Sequence, residues 1–144
     1  MTTLTQLDDD ECWELLRGNH TGRVAFVSGD RPVILPVNYV LDDETIVFRT
    51  AAGQKLAEIP MRHVAFEIDG TTANGAWSVL AQGHAREMTN AVGEASEALR
   101  AIPIPIQAPG DKDHWIAIKV SHLTGRRVIA KRRTRSAEPE PLCS

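Results

Sequence analysis

The chain has 144 residues, 42% of them hydrophobic and 24% charged, with a formal net charge of -3. That length suits one domain with a sizeable core, and the composition excludes a fibrous or wholly disordered chain. The small negative charge excludes a global pull toward nucleic acid or anionic lipid.

The first six residues have no basic segment followed by an apolar core, so no signal peptide is expected. No apolar run approaches the roughly 18 residues that span a bilayer. Cys12 and Cys143 sit near opposite ends, without metal-ligand spacing, and read as reduced thiols of a cytoplasmic protein. From Asp8 the pattern is a helix start. Asp8 can cap, Glu11 stands three residues on as in a capping box, and Leu7 can staple onto Cys12. Trp13, Leu15 and Leu16 give the apolar stripe and Gly18 a stop.

After Gly22 the period changes to two. Strands are expected at 24–27, 33–41 and 45–50, joined by turns at Ser28-Gly29-Asp30 and Asp42-Asp43-Glu44. Such short connections allow only antiparallel pairing. A helix over 53–59, a strand over 63–68 and a loop over 69–75 follow. A long strand over 77–88 has Gly83 inside it as a bend or bulge. A helix over 91–101 and a strand over 115–120 complete residues 1–131, and the polar, Pro-containing tail 132–144 is expected to be disordered. About six strands without an alternating βαβ rhythm point to a mainly β fold, a closed or partly closed six-stranded antiparallel β-barrel with a few short flanking helices. No glycine-rich dinucleotide fingerprint follows a strand.

The segment Arg49-Thr50-Ala51-Ala52-Gly53-Gln54-Lys55 joins a strand end to a helix start. A helix N-terminus offers free amides and a partial positive charge to a phosphate. Arg49 adds a planar fork, Lys55 a compact charge, Thr50 a hydroxyl, and Gly53 close backbone approach. The same spacing also suits an ordinary strand–turn–helix junction with two exposed cations, which is the commoner case. Among other candidates, His20, His63, His84, His114 and His122 show no ligand spacing, so no metal site is expected. His84 reads as a barrel residue, and His114, next to Trp115, as a residue that can face a cleft. Glu67 and Asp69 share a strand face and read as solvated carboxylates or partners of an arginine rather than an acid/base pair. The basic stretch from Arg126 to Arg135 reads as a solvated end. No serine elbow is present, and no catalytic residue is assigned.

Six segments in order resemble the flavin-binding split barrels of the pyridoxamine 5'-phosphate oxidase-like superfamily, over roughly residues 8 to 130. They are Gly22-Arg23-Val24-Ala25-Phe26, Leu35-Pro36-Val37-Asn38-Tyr39-Val40, Phe48 through Leu56, Val64-Ala65-Phe66-Glu67-Ile68-Asp69, Trp77 through Ala85, and Thr124-Gly125-Arg126-Arg127. The resemblance is to the small actinobacterial branch, near the nitroimidazole-resistance reductases. It narrows the six-stranded antiparallel barrel to a split β-barrel and implies a homodimer with FMN in two clefts at the subunit interface. Pro36, Val37, Asn38 and Tyr39 would run beside the isoalloxazine ring, and Arg49, Thr50, Gly53 and Lys55 would hold the phosphate. Trp77 and Ser78 would approach the ring or ribityl chain from the other subunit, and Trp115 would line the outer cleft. Pyridoxamine 5'-phosphate oxidases proper are longer, with further basic and aromatic residues near the C-terminus. Vitamin B6 oxidation is therefore not the expected activity. The resemblance implies an FMN-dependent oxidoreductase of unstated substrate. The deazaflavin coenzyme F420 is an alternative to FMN. The alternative function is a non-catalytic flavin, deazaflavin or haem binding or sensing protein.

Overall fold

A computed structural model describes residues 2–50, 62–88 and 114–130. The elements are β1 (Thr2–Gln6), α1 (Asp9–Arg17), β2 (Thr21–Ser28), β3 (Arg31–Asn38), β4 (Val40–Asp42), β5 (Thr45–Thr50), β6 (Arg62–Thr72), β7 (Gly75–Met88) and β8 (His114–Ala130). They form one eight-stranded sheet in the order β3-β2-β6-β7-β8-β5-β4, with β1 paired to β8. Tight turns at Gly29–Asp30, Asp43–Glu44 and Ala73–Asn74 make the hairpins antiparallel. Gly29 and Asp43 take positive φ, 67° and 55°, as short hairpin loops require.

The sheet order explains the curl. β3 ends the path on one side and β4 on the other, yet only Tyr39 separates them in the chain. The two edges must therefore come together, and the end of β3 approaches β5. Inside the curl, Val24, Phe26, Val37, Ile46, Phe48, Phe66, Ile68, Val79, Ile116 and Ile118 form a buried core. Each such side chain contributes roughly 1.5–3 kcal/mol on leaving water.

α1 covers this core. Its capping box is present: Glu11 N–H donates to Asp8 Oδ1 at 2.8 Å and Asp8 N–H to Glu11 Oε1 at 3.1 Å. Cys12 and Leu16 are buried beneath it, with Leu7. Burial pushes the Cys12 thiol above its ordinary value, helped by Asp9, Asp8 and Glu11.

The mainly β fold expected from the pattern is the one observed, with two strands more. β1 escaped the periodicity because Thr2, Thr3, Leu4, Thr5 and Gln6 are all exposed, so no apolar alternation marks them. The stretch 33–41 divides at Tyr39, where the chain changes partner from β2 to β5. The turn residues over 69–75 prolong a hairpin instead of forming a loop: Asp69 to Thr72 pair with Ser78 to Gly75. The last strand runs on from Val120 to Ala130. It does so through a bulge opposite Gln82 and Gly83 that leaves Ser121 unmatched. One extra residue reverses the alternation, so Ile116 and Ile118 point inward before it and Gly125 after it. The helices expected over 53–59 and 91–101 and the tail 132–144 lie outside the described residues.

Candidate flavin cleft

The residues singled out by sequence fall in two places on the sheet. The first is the seam where the end of β3 meets β5. Arg49 lies opposite Trp115 in the β5–β8 ladder, and Thr50 opposite His114. The Arg49 guanidinium sits over the Trp115 ring, 4.9 Å from its centroid. A cation over an indole face gains on the order of 0.5–1 kcal/mol when exposed and more when desolvated. The contact holds a half-buried cation at the end of the strand. Gly53 and Lys55 lie outside the described residues.

The four residues of the β3 end have different fates. Pro36 is exposed on an edge strand, where a missing N–H costs the ladder nothing. Val37 points into the core. Asn38 is buried, and its Oδ1 accepts from the Thr21 hydroxyl at 3.2 Å, which ties the end of β3 to the start of β2. Tyr39 is wholly buried. Its hydroxyl donates to the Leu16 carbonyl at 2.7 Å, and Phe66 meets its ring edge-on at 4.9 Å. Burial holds the Tyr39 phenol well above its ordinary value. The Val37 and Tyr39 side chains therefore belong to the core. Of these four residues Pro36 is the exposed one, and β3 is an edge of the sheet among the described residues.

The second place is the hairpin end of β6 and β7. Trp77 lies opposite Gly70. A Cβ at position 70 would stand 2.5 Å from the Trp77 ring, so the glycine is what lets the indole lie across β6. Beside it a cleft of 370 Å³ is lined by Asp69, Thr71, Trp77, Ser78, Arg126 and Val128 among others. A second hollow of 710 Å³ adjoins it, sharing Ser78 and Arg126. Arg126 faces Ser78 in the ladder and is exposed. The sequence reads Arg126 as the start of a solvated basic end, and only strand pairing brings it to Ser78. The Glu67 and Asp69 carboxylates are both engaged by Arg23, at 2.6 and 2.8 Å. The hydrogen bond to Glu67 is the main cause of the raised Arg23 pKa. This is the arginine-paired reading of the two carboxylates, and it leaves neither poised as an acid or base.

Arg49 pairs with Trp115 near the start of β8, whereas Ser78 pairs with Arg126 near its end. The described candidate residues thus lie toward opposite ends of β8. Among the described residues no three metal-ligating side chains cluster, and no helix is long and apolar enough to cross a membrane.

Residues 8–127 match the family described as Pyridoxamine 5'-phosphate oxidase. An uncharacterized protein of Mycobacterium tuberculosis, Rv0080, is 29% identical over 140 residues, covering 91% of this chain and 90% of its own length. The structure of an FAD binding protein from Mycobacterium smegmatis is 31% identical, with a TM-score of 0.67 over 87% of this chain and 98% of that one. A second FAD-binding protein, from Mesorhizobium loti, shares the fold at 22% identity, with a TM-score of 0.75 over 89% of this chain and 98% of that one. With a match over most of its length and the split-barrel sheet of those structures, the chain belongs to the pyridoxamine 5'-phosphate oxidase family.

Proposed function

We propose that the protein is a flavin-dependent oxidoreductase of the cytosol, with FMN as its cofactor, working as a homodimer. The observation that carries this reading is the division of the candidate site between the β3–β5 seam and the Trp77–Ser78 cleft of a chain in this family. A two-fold pair joins one chain's first half-site to the other's second, and so makes two complete clefts. The M. smegmatis relative's FAD supports a flavin ligand. Exposed Leu4, Val27, Ile34 and Leu80 on the sheet's outer face supply apolar surface for the pairing.

The donor set fits an anionic, aromatic ligand. Arg49, Thr50, Gly53 and Lys55 hold the phosphate. The edge of β3 at Pro36 presents backbone groups to the polar rim of the ring. Trp77 and Ser78 of the second subunit close the cleft. The bound flavin supplies the hydride or electron chemistry, and the protein supplies binding, orientation and exclusion of water. Asn38 and Tyr39 act through the backbone, by fixing where β3 ends.

Mass spectrometry of the small molecule released from purified protein tests the cofactor, and the expected mass is that of FMN. FAD or F420 in its place replaces the FMN assignment. Colourless protein that takes up no flavin overturns the reading altogether. A second reading is a flavin, deazaflavin or haem binding or sensing protein without turnover. Anaerobic reduction followed by a nitro or enone acceptor separates the two: reoxidation by the acceptor is expected of the enzyme and excludes the pure binder.

A further inference from the structure

We propose that His63 and His84 form a binding site for a divalent transition-metal ion on the outer face of the sheet. The two histidines come from β6 and β7 and stand directly opposite each other in the ladder. Both are exposed. Their rings lie 3.8 Å apart between centroids, with planes inclined by 43°. Neither ring has a hydrogen-bond or ion-pair partner among the described residues. Each neutral imidazole therefore keeps one nitrogen lone pair uncommitted.

Two imidazole nitrogens bound to one tetrahedral ion at 2.0–2.1 Å lie roughly 3.3 Å from each other. A shared ion in both ring planes sets the centroids roughly 5 Å apart, so the rings, at 3.8 Å, swing apart by side-chain rotation to take it. Imidazole pairs suit zinc, nickel and copper and disfavour magnesium and calcium, which take oxygen ligands. No third protein ligand is arranged beside the pair among the described residues, so water completes the coordination. The adjacent Arg62 side chain is engaged by the Val27 carbonyl through Nη1 at 3.2 Å. The site lies toward the opposite end of the hairpin from Trp77 and Ser78. Sequence spacing cannot reveal it, because only the register of the hairpin closing at Thr72 and Gly75 brings the two histidines together.

The test uses the untagged full-length chain. One equivalent of Cu2+ per chain is expected to give an electron paramagnetic resonance spectrum with splitting from two nitrogens. Calorimetric titration with Zn2+ or Ni2+ is expected to saturate at one ion per chain. His63→Gln and His84→Gln, which keep a polar side chain at exposed positions, are each expected to abolish the two-nitrogen signal and the saturable binding. Their melting curves should stay unchanged. His122→Gln is the control and should bind as the parent does, because its Nδ1 is already beside the Ser121 hydroxyl at 3.2 Å. No saturable binding by the parent chain overturns the site, as does undiminished binding by the His63→Gln, His84→Gln double variant.

Discussion

Tyr39, beside the end of β3, commits its side chain to the core. Its hydroxyl fastens β3 to the end of α1, and its ring fills the centre of the core. The phenol's ordinary value is 10.0 and burial raises it in the folded chain. Its contribution to stability is therefore fully present below pH 10 and is lost as pH rises toward the folded value, because only the unfolded chain can ionise. Urea unfolding at pH 8 to 11.5 should show this loss in the parent protein and a smaller one in Tyr39→Phe. Some loss remains in the variant from Cys12, raised from 9.0 by burial. At neutral pH the variant should be weaker by about 1 kcal/mol, the net worth of one hydrogen bond. Identical pH slopes in the two proteins would rule the argument out. Arg49, over the Trp115 ring, is the counterpart proposed to face the cleft. Replacing Arg49 and Lys55 together with Ala is expected to weaken flavin binding by roughly 3–6 kcal/mol, the scale of two charge-assisted hydrogen bonds. Unchanged affinity by fluorescence titration refutes the phosphate anchor.

At the scale of elements, the capping box and the bulge are the two devices that set geometry. Asp8→Ala removes the acceptor of the Glu11 amide and should cost about 1 kcal/mol, read as a lower urea midpoint at unchanged slope. The Arg127–Glu11 ion pair at 3.8 Å is half-exposed and adds little. Gly83 faces the bulge, and a Cβ there would collide with the Lys119 carbonyl. Gly83→Ala should therefore destabilise by about 1–3 kcal/mol, as overpacking does. A melting temperature equal to the parent's contradicts the close approach of β7 and β8. The capping box was legible because its hydrogen bonds span three residues. Gly83 was legible as an interruption, but the reversal it accompanies was not, since the extra residue, Ser121, lies on the partner strand.

For the whole molecule the decisive question is whether the two half-sites meet across a two-fold axis. Two defective chains answer it, one with Arg49→Ala and Lys55→Ala, the other with Trp77→Ala and Ser78→Arg. Each alone should bind flavin poorly. Refolded together in equal amounts, half the dimers are mixed and each holds one intact cleft, so roughly a quarter of the sites should recover. A cleft built within one chain recovers none. Native mass spectrometry of the parent should give the mass of two chains, plus that of any bound flavin.

Local chemistry by itself determined a good deal: the capped helix, the antiparallel hairpins, the mainly β fold and the Arg49 strand end all follow from residue types a few positions apart. It also supplied the ordered segments by which the family resemblance was legible. Strand pairing decided the rest. Which side chains of 36–39 serve the core, where Trp77 stands relative to Arg49, how Arg126 reaches Ser78, and the meeting of His63 with His84 all depend on register between distant strands. Register is set by which faces the core buries and by where turns and bulges fall, a property of the closed sheet that no short window of sequence contains.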